Sequence, residues 1–321
     1  MTGRIPPIDY AATAIRPAYA TLPESVRRRI AEALGGEPVE VAIAGGGFTT
    51  GFAARVRAAS GAELFVKAAG PLTPEVHDVY QLEARVNTVL PLAVPAPALR
   101  FHAEIDEWTV VGFEALQGKP VTLPMQAEKL DLMLRAWADA VDALNPPSPS
   151  LIASGVTPKS TRTLCNFQTV AGGAQRPFEL PSALTGRWDE LAEIETGVDQ
   201  IFVTDQVTHG DLRPDNMVVG ERQAWICDWN KLRFMPPWVD TVCLLATAHG
   251  DGHDAERLFW NHPTASGVSN EELDTLLAAI TGAMLLGWQD APRRIVSPAI
   301  QDHMRWTGLA TADWLAARRS W

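Results

Sequence analysis

The sequence predicts an α+β protein of two unequal parts, a small antiparallel sheet carrying one main helix and a larger, mostly helical region. Three observations predict it. Strand-like runs separated by glycine turns fill roughly the first 115 residues. Apolar residues at helical spacing dominate after residue 127. Between them, "QGKPV" (117–121) is a glycine-proline crossing at which the chain changes character. The boundary placed there gives parts 1–117 and 118–321, with a cleft between them where ligands commonly sit.

Residues 24–34, "ESVRRRIAEAL", have the pattern of a short helix. "VEVAIAGGGFTTGFAARVRAASGAELFVKAA" then reads as strand, glycine turn, strand, turn, strand. "TPEVHDVYQLEARVNTVL" (73–90) is helical and Pro91 stops it. "ALRFHAEIDEWTVVGFEAL" adds two strands turning near Asp106, which completes a five-stranded sheet. In "AEKLDLMLRAWADAVDAL", Leu130, Leu134, Trp137, Val141 and Leu144 recur at helical spacing. "NPPSPS" (145–150) and the polar stretch 155–177 read as loop. Helical patterns return at 187–196, 240–248, 271–287 and 299–318, interrupted by a small hairpin near 217–227. No internal repeat is visible.

With 321 residues, 46% of them hydrophobic, the chain can bury a substantial core. The formal charge of −11 and the absence of a basic block argue against nucleic acid as a partner. An acidic surface suits a cationic small molecule, although acidity of this degree is common. No run approaches the ~18 apolar residues of a membrane span, and the N-terminal stretch lacks an apolar signal core. Three cysteines without CxxC spacing indicate neither a disulfide framework nor a zinc knuckle. The expectation is a cytoplasmic, reduced protein with no membrane partner.

The hairpin carries the first candidate residues. "NMVV" and "AWICD" flank the turn "GERQ", so Val219 faces Ala224 and Asn216 falls opposite Cys227, next to Asp228. Two hard oxygen donors from separate strands suit Mg²⁺ bound together with substrate phosphates. Taken alone, a hairpin with polar ends explains them better. Asp211, however, lies five residues before Asn216 in "THGDLRPDN". His-x-Asp, four residues and Asn is the catalytic-loop spacing of kinase-like phosphotransferases, where the Asp receives a hydroxyl proton and the Asn holds metal. His209 is expected to pack and to hydrogen-bond the loop.

Lys67, one of only five lysines, sits in the apolar strand "ELFVKAA". A buried ammonium there needs a partner. Glu83 shares a helical face with Val79, Val86 and Leu90, so its carboxylate points inward; the pair would leave the ammonium facing nucleotide phosphates. A snorkelling lysine and a boundary glutamate are the bland alternative. "AGGGFTTGFAARV" (44–56) lets backbone amides approach phosphates, but its spacing is not GxGxxG and glycine turns between strands are common. In "FEAL" (113–116), the carbonyl of Glu114 and the amide of Leu116 are natural partners for an adenine. Asp240 opens an apolar helix, by default as its N-cap and alternatively as a brace for the catalytic loop. His249 and His253 in "AHGDGHD" have metal-compatible spacing, but the intervening glycines favour a loop.

With these pieces in this order, the chain resembles the aminoglycoside phosphotransferase family, small-molecule kinases of the bilobal protein-kinase-like fold. The resemblance runs from "GGGFTTG" to the C-terminal helices and is strongest at "HGDLRPDN…CDWN…PPWVD". It implies that Asp211 is the catalytic base, that Asn216 and Asp228 bind Mg²⁺, and that Lys67 with Glu83 anchors the phosphates. It also implies that Asp240 supports the loop and that Gly46, Gly47, Thr49 and Gly51 cover the nucleotide. ATP is the implied nucleotide, with GTP not excluded.

The chain departs from protein kinases at two points. Trp229 and Asn230 replace Phe-Gly after Asp228, and only seven residues separate Asp228 from Pro236. No long activation loop is left to hold a peptide, so the expected acceptor is a small molecule with a hydroxyl, not a protein. An aminoglycoside-type antibiotic or amino sugar is favoured. A kinase of another metabolite and a nucleotide-binding pseudokinase are the rivals. Whether the role is resistance or metabolism is open at this point.

Overall fold

The computed structural model describes residues 8–158, 164–290 and 298–321. Residues 159–163, part of the loop expected at 155–177, and residues 291–297 lie outside the described residues.

Helix α1 (Glu24–Leu34) forms where Val26, Ile30 and Leu34 line one face, and it ends at Gly35, whose φ of +79° a side chain would disfavour. Strands β1 (Pro38–Ile43), β2 (Phe52–Ala58) and β3 (Glu63–Ala69) follow, then helix α2 (Pro74–Val89) with proline in its first turn, then β4 (Leu99–Ile105) and β5 (Trp108–Glu114). The sheet is antiparallel throughout, in the order β1-β2-β3-β5-β4. Both its faces are covered. Val66, Ala68 and Val110 pack with α1, while Ala69, Val111 and Phe113 pack with Tyr80 and Ala84 of α2. The two-residue period of β3 therefore assigns Lys67 to the α2 face.

The rest of the chain is built on β6 (Lys119–Pro120), α3 (Ala127–Leu144), α4 (Pro149–Ala153), β7 (Thr157–Pro158), α5 (Asn166–Ala171), α6 (Trp188–Glu195), α7 (Val198–Ile201) and β8 (Val207–Thr208). It continues with β9 (Met217–Val219), β10 (Ala224–Ile226), β11 (Arg233–Phe234), α8 (Pro237–Gly250), α9 (Ala255–Asn261), α10 (Asn270–Asp290) and α11 (Ala299–Arg319). A single core joins these helices, with Trp137, Phe167, Trp229 and Trp314 buried in it. Each such side chain contributes on the order of 2–3 kcal/mol by burial, which makes this region the larger store of stability.

The hairpin has the expected register, Val219 opposite Ala224, and the Cys227 amide donates to the Asn216 carbonyl at 2.8 Å. Three segments differ from expectation. The crossing is itself a strand, since β6 pairs with β9 and closes a three-stranded sheet. Helix α5 lies inside the stretch expected to be loop. Its first amides are taken by the buried Glu195 carboxylate, Asn166 at 3.1 Å and Gln168 at 2.9 Å, a cap supplied from 27–29 residues away. Helix α4 starts within "NPPSPS", capped by the Ser148 hydroxyl. No helix among the described residues is long and apolar enough to cross a membrane.

Candidate active site

The loop from His209 to Asn216 leaves β8 and enters β9, and a carboxylate beneath it sets its shape. Asp240, in the first turn of α8 and 1% exposed, accepts from the Thr208 hydroxyl (2.6 Å), the Gly210 amide (2.7 Å) and the Leu212 amide (3.4 Å). Burial pushes its carboxyl up from the ordinary value, against the pull of these donors and of His209. The N-cap position of α8 belongs to Pro236, so Asp240 binds the loop and does not cap its own helix. Gly210 has a φ of +80°, and a Cβ there would lie 2.3 Å from the Lys231 carbonyl.

Fully buried His209 donates from Nε2 to the Cys227 carbonyl (2.8 Å), accepts the Asp211 amide at Nδ1 (3.3 Å) and packs edge-on against Trp229. The Asp211 carboxylate is half-buried. Asn216 donates its amide nitrogen to the Asp211 carbonyl at 2.7 Å, which turns the Asn216 amide oxygen away from that contact. Arg213, which the sequence reading passed over, bridges two carboxylates: it meets Asp211 at 3.1 Å and Asp215 at 3.0 Å. Its signal was present, a cation inside the motif two residues beyond Asp211.

Lys67 is 7% exposed, and its ammonium donates to both Glu83 oxygens at 2.7 and 2.8 Å and to Asp228 Oδ1. The Tyr80 and Phe113 rings flank it at 5.5 and 5.8 Å. Burial alone would lower the lysine, but the Asp228 and Glu83 carboxylates outweigh it and hold it well above the ordinary value. For Glu83, burial is the largest effect and raises its carboxyl despite the ammonium. Burial would also raise Asp228; the Lys67 ammonium, and behind it the Arg16 guanidinium, hold it below the usual carboxylate range. Asp228 has a φ of +62°, the left-handed region that Asp tolerates better than most residues.

Above these groups the loop between β1 and β2 closes a cavity of about 300 Å³. Gly46, Gly47, Thr49, Lys67, Glu83, Glu114, Leu116, Asn216 and Asp228 all line it, so most of the sequence-selected residues meet at one space. Asp211, His209, Asp240 and Gly51 do not line it. Gly51 is buried against Tyr80 and Val76. Glu114 ends β5 with its amide on the Ala98 carbonyl, and the Leu116 carbonyl accepts from Arg55 at 3.2 Å. His249 and His253 stay apart from this space. His249 stacks on Trp314 and meets Asp313, and His253 meets the Met125 carbonyl.

Arg16 and Tyr10 also line the cavity, and neither was selected from the sequence. Their partners are backbone atoms or side chains hundreds of residues away, so no local pattern marks them.

The donor chemistry fits a divalent cation shared with phosphates. Asn216 and Asp228 offer an amide oxygen and a carboxylate from the paired ends of one hairpin. No group of three or more His, Cys, Asp or Glu among the described residues forms a self-sufficient metal cage. Mg²⁺ takes one or two protein oxygens and completes its shell with phosphate and water.

A family model of the phosphotransferase enzyme family (APH) matches residues 47–264, and the chain belongs to that family. Solved structures share the fold at low identity. Spectinomycin phosphotransferase APH(9)-Ia, in complex with ADP and spectinomycin, superposes with a TM-score of 0.60 at 10% identity, over 91% of this chain and 98% of that chain. A thermostable mutant of aminoglycoside phosphotransferase APH(4)-Ia, without ligand, gives 0.57 at 14% over 91% and 98%. Macrolide 2'-phosphotransferase MphH from Brachybacterium faecium gives 0.55 at 17% over 88% and 96%. No curated protein matches the sequence significantly. The chain is thus a small-molecule phosphotransferase of bilobal, kinase-like fold.

Proposed function

We propose that this protein moves the γ-phosphoryl of ATP to a hydroxyl of a small molecule, with an aminoglycoside-type antibiotic or a related amino sugar as the favoured acceptor. The carrying observation is the meeting of Lys67, Glu83, Asp228 and Asn216 at one cavity under a glycine loop, with Asp211 on the adjoining loop. Parts 1–117 and 118–321 act as the two jaws of the cleft.

Lys67, fixed by Glu83, binds nucleotide phosphates once its contact with Asp228 gives way to them. Asn216 and Asp228 hold Mg²⁺, which when bound offsets phosphate charge. Asp211, held by the loop bonded to Asp240 and by Arg213, orients the acceptor hydroxyl and takes its proton as oxygen attacks phosphorus. The short connection supports a small acceptor: β11 and α8 begin within nine residues of Asp228, and a peptide finds no extended segment to lie on. The net charge of −11 supports a cationic one.

The test is ADP release with Mg-ATP across aminoglycosides, amino sugars, other sugars and amino alcohols, with Asp211→Ala beside the native protein. Acceptor-dependent release that falls by at least ~10²–10³-fold in the variant is expected. Full turnover by the variant overturns the role of Asp211. Release only with neutral sugars moves the acceptor class, and nucleotide binding with no release for any acceptor makes the chain a pseudokinase.

A further inference from the structure

The glycine loop is held by one side chain from outside both sheet and helices. Arg16 lies in the extended segment "AIRPAY" that precedes α1, and its guanidinium spreads over the loop. Nε donates to the Ala44 carbonyl at 2.9 Å, Nη1 to Gly51 at 2.9 Å and Nη2 to Gly46 at 2.7 Å. Two residues earlier in the same segment, the Ala14 amide donates to the Gly45 carbonyl at 2.8 Å. Four loop carbonyls are thereby committed to the N-terminal segment. The amides of Gly46 through Thr50 donate to no acceptor among the described residues. A loop whose carbonyls are tied back and whose amides are unspent is polarised to receive an anion.

The fit is tight. A Cβ on Gly46 would sit 2.9 Å from the Tyr10 carbonyl, and one on Gly47, with φ of +96°, would sit 2.9 Å from Arg16 itself. Among the described residues no carboxylate lies within ion-pair distance of Arg16: its direct partners are neutral carbonyls, Asp228 acts on it only from farther off, and it lines the cavity. A planar fork serves these three carbonyls from three separate nitrogens held at fixed spacing; an ammonium has three donors too, but all on one nitrogen at the end of a flexible stem.

We infer that Arg16 is a positioning residue for the nucleotide triphosphate: it holds the glycine loop with its amides free for the phosphates and adds an unpaired positive charge beside them. This rests on the nucleotide-binding function proposed above. Adenine and ribose lie outside its reach in this scheme, so its influence scales with phosphate.

Titration calorimetry of the full chain with adenosine, ADP and ATP in Mg²⁺ tests this, using native protein, Arg16→Met and Arg16→Lys, each checked by thermal melting. Arg16→Met is expected to weaken ADP and ATP by roughly 10- to 100-fold, ATP the more, and to leave adenosine within about twofold. Arg16→Lys, which keeps charge and loses the fork, should fall between. Equal weakening of all three ligands, or none, overturns the inference, as does an Arg16→Lys protein indistinguishable from native. If Arg16→Met does not fold, the Arg16→Lys series decides by the same criterion. Native protein that binds neither ADP nor ATP removes the nucleotide reading itself, a result separable from the Arg16 outcomes because it appears before any substitution.

Discussion

The catalytic loop and the glycine loop face the same space, yet they are held in opposite ways. The first is fastened from beneath by buried groups: Asp240 takes three donors, and His209 bonds on both ring nitrogens. The second is fastened from outside, by a half-buried arginine and one backbone amide. Anchors without solvent are costly to remove, because each orphaned partner stays buried. Anchors at the surface are exchanged for water. Loss of stability should therefore concentrate under the catalytic loop and at Lys67, and loss of ligand affinity at the glycine loop.

The largest effect is expected at Lys67, between the two. Lys67→Met leaves the Glu83 carboxyl buried without its cation, and urea unfolding should show about 3–5 kcal/mol lost. Lys67→Met combined with Glu83→Leu should recover much of that while remaining inactive. A single variant as stable as the native protein would place the pair among solvated surface contacts.

Asp240→Ala comes next. It strands the Thr208 hydroxyl and two amides, for about 2–4 kcal/mol in the same experiment. Its turnover should fall further than its nucleotide affinity, since the loop it shapes carries Asp211. Equal losses of both would erase the contrast between the two loops.

A smaller effect concerns the attachment of the N-terminal segment. Tyr10 shares a hydrogen bond of 3.0 Å with His303 Nδ1 on α11, where Phe48 also packs against the imidazole. Burial, and then the Arg213 charge, push the His303 pKa down from 6.5 to about 3, with Asp211 opposing weakly. The folded state therefore keeps this imidazole neutral while the unfolded chain takes up a proton. Its contribution is complete above pH 6.5 and is lost as pH falls from there toward 3. Between pH 7.5 and 5.5 the native protein should lose about 1 kcal/mol more than His303→Gln. Parallel pH profiles would show that the ring is solvated.

What the sequence disclosed follows the range of each interaction. Asp211 and Asn216 are five residues apart, so their spacing alone carries the loop that the Asn216–Asp211 hydrogen bond closes. Lys67 and Glu83 are sixteen apart, but each breaks an apolar pattern, and two such breaks on facing elements suggest one another. Helix α5 was hidden because its cap, Glu195, comes from a later helix. Arg16 was hidden more completely. Its partners are main-chain carbonyls, which every residue has, and nothing in the letters of the glycine loop calls for an arginine 28–35 positions earlier.

The left-handed backbone at Asp228 bears on which sequences this position can hold. With φ at +62°, it admits Gly, Asn and Asp with little strain, while β-branched and long side chains are disfavoured. Glutamate would preserve the charge and lose the turn; alanine would lose both. Asparagine and glycine both remove the charge while sparing the backbone, and of the two only asparagine keeps an oxygen donor. Chemistry and chain direction thus select the same residue independently, leaving few viable paths by which drift could replace it.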